Sequence, residues 1–157
     1  SFNELLKKRL TFDIIIMSNV FEHINNPGYV LSNLHKILKP NGLIKIAVPN
    51  YNSLFRFFFK SAWSNYHVPF HLNHFSQKTL TSFFSKAGYS LTKSETVTPS
   101  YGLCFSLLNA LNIKNKKENF LLLFSLMILF LLLKPIIFFL NLAKLGDILK
   151  LEFMYEK

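Results

Sequence analysis

Residues 11–50 read TFDIIIMSNVFEHINNPGYVLSNLHKILKPNGLIKIAVPN, and this stretch restricts the fold more than any other. Residues 12–17 hold three consecutive isoleucines and no charge after Asp13, as a strand covered on both faces of a parallel sheet would. Residues 18–26 are polar and turn-prone. Pro27 suits the first turn of a helix, where its missing N–H costs nothing, and Val30, Leu34, Ile37 and Leu38 recur on one helical face. Lys39, Pro40, Asn41 and Gly42 combine a C-terminal cation, a breaker and a turn glycine, and they predict the helix stop. Residues 43–48 form a second short apolar strand closed by Pro49. A strand, a crossover helix and a strand in this space make a βαβ unit, with a right-handed crossover expected.

Further along, residues 76–88 predict a helix, with Ser76 as N-cap, Leu80, Phe83, Phe84 and Ala87 on one face and Gly88 at the end. Residues 89–98 alternate and carry β-branched side chains, as a strand does. Neither element carries chemistry of its own. Between them and the βαβ unit lie Phe55, Phe57, Phe58 and Phe59 mixed with Arg56 and Lys60, then Trp63, then three histidines, His67, His71 and His74. His71 and His74 have helical spacing, but Pro69 favours an irregular loop. No acidic residue lies within twenty positions of these histidines, which argues against a histidine metal centre. A neutral histidine there can instead serve as general base toward a hydroxyl, or simply stabilise the loop.

The order "Phe12-Asp13, apolar strand, Ser18-Asn19-Val20-Phe21-Glu22-His23, Asn26-Pro27, helix, Leu38-Lys39-Pro40-Asn41-Gly42, apolar strand, Val48-Pro49-Asn50" resembles the second half of a class I S-adenosylmethionine-dependent methyltransferase. The run YHVPFHLNHFS at 66–76, with Thr79-Leu80 and Ala87-Gly88-Tyr89, is similar to the same family, and the likeness covers roughly residues 10–98. The resemblance implies an α/β, Rossmann-like sheet containing the family's strands four, five, seven and six, with S-adenosylmethionine as cofactor. By resemblance Ser18, Asn19, Val20 and Glu22 line the methionine side of the cofactor, Glu22 and His23 are a catalytic pair or a loop-capping pair, and His71, His74 and Phe75 sit near the acceptor. Some relatives with Glu-x-x-Glu-His here bind a divalent metal. Asn19 replaces the first of those carboxylates, so no metal site is expected. The family's glycine-rich cofactor turn has no counterpart: the five glycines, at 28, 42, 88, 102 and 146, are too dispersed. That half is expected before Ser1, or else the chain is a degenerate domain. The first ten residues are too short and too charged for a signal peptide.

Residues 120–133 are apolar apart from Ser125, Lys134-Pro135 interrupts, and 136–143 continue the run. Fourteen residues fall short of the ~20 of a spanning helix. A kinked segment over 120–143 is long enough to span, and two short helices hinged at Pro135 would lie in the interface. A helix buried in a dimer is the rival. Lys114, Lys116 and Lys117 precede the run as a positive flank. Residues 146–157 resemble the closing strand of the methyltransferase sheet. The expected division is therefore 1–101 for the methyltransferase part, 102–145 for an apolar helical insertion and 146–157 for the last strand.

The net charge of +10 is concentrated by an acid-free stretch between Glu22 and Glu95, which suits an anionic partner. Nucleic acid ranks last among such partners, because most phenylalanines lie in core-like runs. The single cysteine, Cys104, excludes an internal disulfide and a cysteine zinc cluster, and its neighbours suggest an inert buried thiol. Two functions emerge: methyl transfer to an oxygen or nitrogen of a small-molecule or lipid-linked acceptor, or a non-catalytic, membrane-associated interaction module. A cytoplasmic location is expected in either case, at a membrane surface if the apolar segment inserts.

Overall fold

A computed structural model describes residues 2–113 and 120–156. Helix α1 (Phe2–Lys7) leads into strand β1 (Phe12–Ser18), and α2 (Pro27–Leu34) crosses to β2 (Leu38–Pro49). A short α3 (Leu54–Phe59) and two 3-10 turns (Lys60–Ala62, Ser64–Tyr66) precede α4 (Gln77–Lys86) and β3 (Tyr89–Val97). Two helices, α5 (Ser100–Ala110) and α6 (Phe120–Leu142), then separate β3 from β4 (Ile148–Tyr155). The sheet order is β1-β2-β4-β3, with β1 parallel to β2 and β4 antiparallel to both its neighbours. This is the Rossmann-like order of strands four, five, seven and six, and the last strand does close the sheet between the two preceding it.

One face of the sheet is packed. Met17, Ile44, Ile46, Val48, Leu149, Leu151 and Phe153 meet Leu31 and Leu34 of α2 and Leu80 and Phe84 of α4, all less than one tenth exposed. Phe84 stacks on Phe153 with ring centroids 4.1 Å apart. Ser76 accepts from the Thr79 N–H while the Thr79 hydroxyl accepts from the Ser76 N–H, a reciprocal cap that starts α4 where its polar N-cap predicts.

The opposite face is open. Ile14 is 48 % and Ile16 69 % exposed, so β1 is not covered on both sides as its isoleucine run suggests. The reason is positional: β1 is the edge of this sheet, and the described helices α2 and α4 pack only on the other face. Farther along the open face, opposite charges lie across the strands, with Lys45 3.2 Å from Glu152 and Glu95 in register with Lys150.

Two local expectations change. Helix α2 ends at Leu34, so Ile37 and Leu38 are buried from the connecting turn and from the start of β2, and Leu31 takes the inward place. The residues read as a helix stop, Lys39 to Gly42, instead form an irregular excursion within β2, where the register against β1 jumps from Phe12–Leu38 to Ile14–Leu43. Asn41 has φ 62° there, and a Cβ at Gly42 would lie 2.8 Å from Leu38 Cδ1 and 2.9 Å from the Lys39 carbonyl oxygen. Lys39 meanwhile pairs with Asp13 at 2.9 Å.

Helix α6 is continuous through Pro135 rather than two hinged halves. Its window from Phe124 to Leu142 has a mean hydropathy of 2.3 and is 12 % buried, so by length and composition it can cross a membrane. It rests on α5 and on β3, where the Asn141 carbonyl and side-chain oxygens accept from the Thr96 and Thr98 hydroxyls. Lys114, Lys116, Lys117 and Lys157 lie outside the described residues.

Candidate active site

The C-terminal end of β1 is where an open α/β sheet presents ligand-binding loops. Ser18 closes the strand, and Asn19 turns the chain at φ 51° while donating its N–H to the Ala47 carbonyl at 2.9 Å. Val20 stays 47 % exposed. Phe21 plunges into the core against Phe75 and Phe84, with ring centroids 5.4 and 5.6 Å away, and this anchor carries Glu22 inward to 1 % exposure.

The histidine loop is stitched over that turn. The Leu72 and Asn73 N–H groups donate to the Glu22 carbonyl at 3.0 Å each, and the Asn73 amide donates to the Ile24 carbonyl at 2.8 Å. His23 Nδ1 meets the Phe70 carbonyl at 2.7 Å and His71 Nδ1 meets the Asn65 carbonyl at 2.8 Å. These contacts place a proton on Nδ1 of each ring, so that in a neutral ring Nε2 is the acceptor. The two rings lie 4.8 Å apart, and His71 Nε2 is 4.0 Å from Glu22 Oε1. Among the described residues neither Glu22 oxygen has a hydrogen-bond partner, so its carboxylate does not cap the loop, whereas His23 does hold it.

Burial pushes Glu22 upward and His71 downward from their ordinary pKa values. Burial thereby disfavours the charged form of each group. Glu22, His23 and His71 each offer a ligand atom, all within 4.8 Å of one another, which can also hold a divalent cation. The acid-free surroundings of the histidines in sequence concealed this: Glu22 reaches His71 across 49 positions. Asn19 contributes no carboxylate to the cluster.

His74 stands apart from that group. Its ring packs on Tyr66 and Tyr51, with centroids 5.5 and 6.1 Å away, and burial and the Arg56 charge lower its pKa. Arg56 lies over the Tyr51 ring at 3.9 Å, its Nε donates to the Tyr51 carbonyl, and Nη1 reaches the Tyr66 hydroxyl at 3.4 Å. A groove of about 1060 Å³ opens beside it, bounded by the 3-10 turns and α5. Trp63, one of its lining residues, is held by Asp147, which is fully buried just before β4. Asp147 Oδ1 accepts from the Ser53 hydroxyl and from Trp63 Nε1 at 2.9 Å, and Asn50 ties the end of β2 to the Gly146 carbonyl at 2.8 Å. Sequence reasoning missed Arg56, Tyr51, Tyr66 and Asp147 as site components. Only the cation–aromatic mixture of residues 51–66 hinted at the first three. Cys104 is buried and burial pushes its thiol up, in keeping with an inert group.

The loop from Ser18 to Val20 follows the end of β1, and no glycine-rich turn occurs among these 157 residues.

A family model described as "Methyltransferase domain" matches residues 1–94. No curated protein matches the chain. Among solved structures it is similar to a SAM-dependent methyltransferase from Archaeoglobus fulgidus, at 18 % identity and a TM-score of 0.57, covering 98 % of this chain and 65 % of that one. A protein from Galdieria sulphuraria described as a sarcosine dimethylglycine methyltransferase gives 14 % identity and a TM-score of 0.55, covering 99 % and 57 %. The [4+2]-cyclase SpnF gives 12 % and 0.51, covering 93 % and 50 %. The chain thus spans half to two thirds of the length of each, and at these identities the likeness is one of fold. On the family match over most of its sheet and both site loops, the chain belongs to the methyltransferase-domain family.

Proposed function

We propose that the chain forms the acceptor side of an S-adenosylmethionine-dependent methyltransferase acting on an oxygen or nitrogen of a small-molecule or lipid-linked acceptor. The observation that carries this reading is the convergence of Glu22, His23 and His71 at the strand end beside the Ser18–Asn19–Val20 loop. S-adenosylmethionine, when bound, supplies an electrophilic methyl on a sulfonium. The protein's task is then to position the acceptor and to take its proton. His71 suits the second task, because it is held neutral by burial and keeps Nε2 free while Nδ1 is fixed on Asn65. Proton uptake there creates an imidazolium 4.0 Å from Glu22, which then favours the carboxylate form of Glu22. Glu22 and His23 are positioning residues in this scheme, and His74 borders the acceptor space.

The orphaned Glu22 oxygens favour a second use of the same cluster, as ligands of a divalent cation that would bind and polarise the acceptor hydroxyl. The exposed apolar length of α6 supports a lipid-linked acceptor and attachment to a membrane surface. Transfer of labelled methyl from S-adenosylmethionine into a lipid and small-molecule extract by the full-length protein, with and without chelator, tests the proposal. Transfer lost in His71→Asn but intact in chelator supports the base. Transfer lost in chelator and restored by metal supports the cation. No transfer in either condition, with no S-adenosylmethionine bound, leaves the non-catalytic module as the better reading.

A further inference from the structure

The groove next to the histidine cluster is one-signed in charge. Its basic lining residues are Arg56, Lys60 and His67, and no carboxylate is among the lining residues. Among the described residues Arg56 makes no ion pair. Its three restraints are the Tyr51 ring, the Tyr51 carbonyl and the Tyr66 hydroxyl, all uncharged. A guanidinium held in a fixed orientation by neutral partners keeps its full charge and its remaining N–H donors for a ligand, and its planar fork suits phosphate oxygens. Lys60 follows α3 with φ 48° and ψ −122°, a backbone conformation a non-glycine residue adopts only at a cost of about 1–3 kcal/mol. That turn carries the ammonium to the same groove as Arg56.

The walls are aromatic. Phe57 is 68 % and Tyr101 57 % exposed on either side, on α3 and α5. Solvated aromatic faces flanking two cations match an amphiphilic anion rather than a bare ion. At the far end His67 lines the groove with its ring 5.1 Å from that of His71. A ligand held on Arg56 and Lys60 therefore extends toward the site of proton transfer.

We propose that this groove binds the anionic handle of the acceptor, a phosphate or diphosphate ester bearing an apolar group. The inference rests on the methyltransferase reading and specifies its substrate class. Two cations exceed what a single carboxylate would satisfy, and they match the charge of a phosphate or diphosphate ester. Arg56 supplies directional hydrogen bonds, Lys60 supplies a point charge at the mouth, and the aromatic walls take the apolar part.

Calorimetric titration of the full-length protein with geranyl diphosphate, inorganic diphosphate and geraniol tests this directly. Geranyl diphosphate is expected to bind more tightly than either fragment, and to weaken as salt is raised. Arg56→Gln and Lys60→Gln should each weaken it about tenfold, the loss expected from one charge-assisted contact. Lys78→Gln, on an exposed lysine of α4, should leave it unchanged. Equal binding by geraniol, or unchanged binding in Arg56→Gln with the protein folded by thermal unfolding, would overturn the proposal. Binding to phosphatidylglycerol vesicles without binding to soluble geranyl diphosphate would overturn it in favour of a membrane surface. S-adenosylmethionine titrated in parallel separates the two claims. If it binds and the diphosphate does not, only the groove assignment fails. If the diphosphate binds and S-adenosylmethionine does not, the anion site stands and the methyltransferase reading fails.

Discussion

Asp147→Asn should stabilise the protein at neutral pH and not at acid pH. Asp147 is fully buried, and burial pushes its carboxyl above the ordinary carboxylate range despite the donors Ser53 and Trp63 on Oδ1. Among the described residues Oδ2 has no partner, and it faces Gly102, where a Cβ would come within 3.3 Å of it. With the folded pKa raised, the native state holds the proton at pH values where the unfolded chain has released it. Stability is therefore lost as pH rises from the unfolded value through the folded one, at up to about 1.4 kcal/mol per pH unit. Asparagine keeps the Oδ1 acceptor and cannot ionise. Below the unfolded pKa the variant and parent should agree within about 1 kcal/mol, since each carries one unpaired polar group. Above it the variant should gain steadily, then level off once Asp147 is ionised in both states. Asp147→Ala strips the acceptor from two buried donors and should cost about 2–4 kcal/mol at every pH. Urea unfolding of the full-length proteins between pH 3 and 8 reads these differences, and subtraction removes the shared contribution of Glu22. Parallel profiles for Asp147→Asn and parent would refute the assignment of Asp147 as a strained buried acid.

Other consequences are simpler to read. His71→Asn should reduce kcat/KM by about 10²–10⁴ without weakening S-adenosylmethionine binding. In the parent, kcat/KM should fall as pH drops through the lowered His71 pKa and plateau above it, so the acid limb lies below that of an unperturbed histidine. Ser76→Ala removes the reciprocal cap of α4 and should cost about 1 kcal/mol in chemical denaturation. Gly42→Ala forces Leu38 and the Lys39 carbonyl aside and should cost about 1–3 kcal/mol in the same assay. Leu132 is 72 % and Phe139 66 % exposed on α6. If that helix inserts, Leu132→Glu with Phe139→Glu should abolish recovery with vesicles in flotation, and equal recovery of parent and variant would exclude it.

Local signals in the sequence translated well where one element decides the outcome. Ser76 starts α4, Pro27 begins α2 and the alternating residues 89–98 supply β3, because caps and periodicity act over a few residues. The strand order followed from the resemblance rather than from any residue. Burial of β1 did not follow, since an apolar run reports what a strand requires and not which neighbours are present to meet it. Lys39 to Gly42 misled because a cation, a proline and a glycine also suit a bulged strand entry. The site was legible as two separate loops only. That Glu22 lies beside His71, and that Asp147 supports the groove beneath Trp63, depends on contacts 49 and 84 residues apart, which no spacing rule carries. Helix α6 read as two candidates because Pro135 breaks a backbone hydrogen bond without necessarily ending a strongly apolar helix.

The most direct measurement is calorimetric titration of S-adenosylmethionine into the protein expressed from its complete reading frame. Saturable one-site binding, weakened by a bulky substitution such as Asn19→Trp in the loop after β1, is the result expected of a working methyltransferase. Absence of binding by a folded protein would contradict a catalytic role and leave the sheet and its apolar helix as an interaction module.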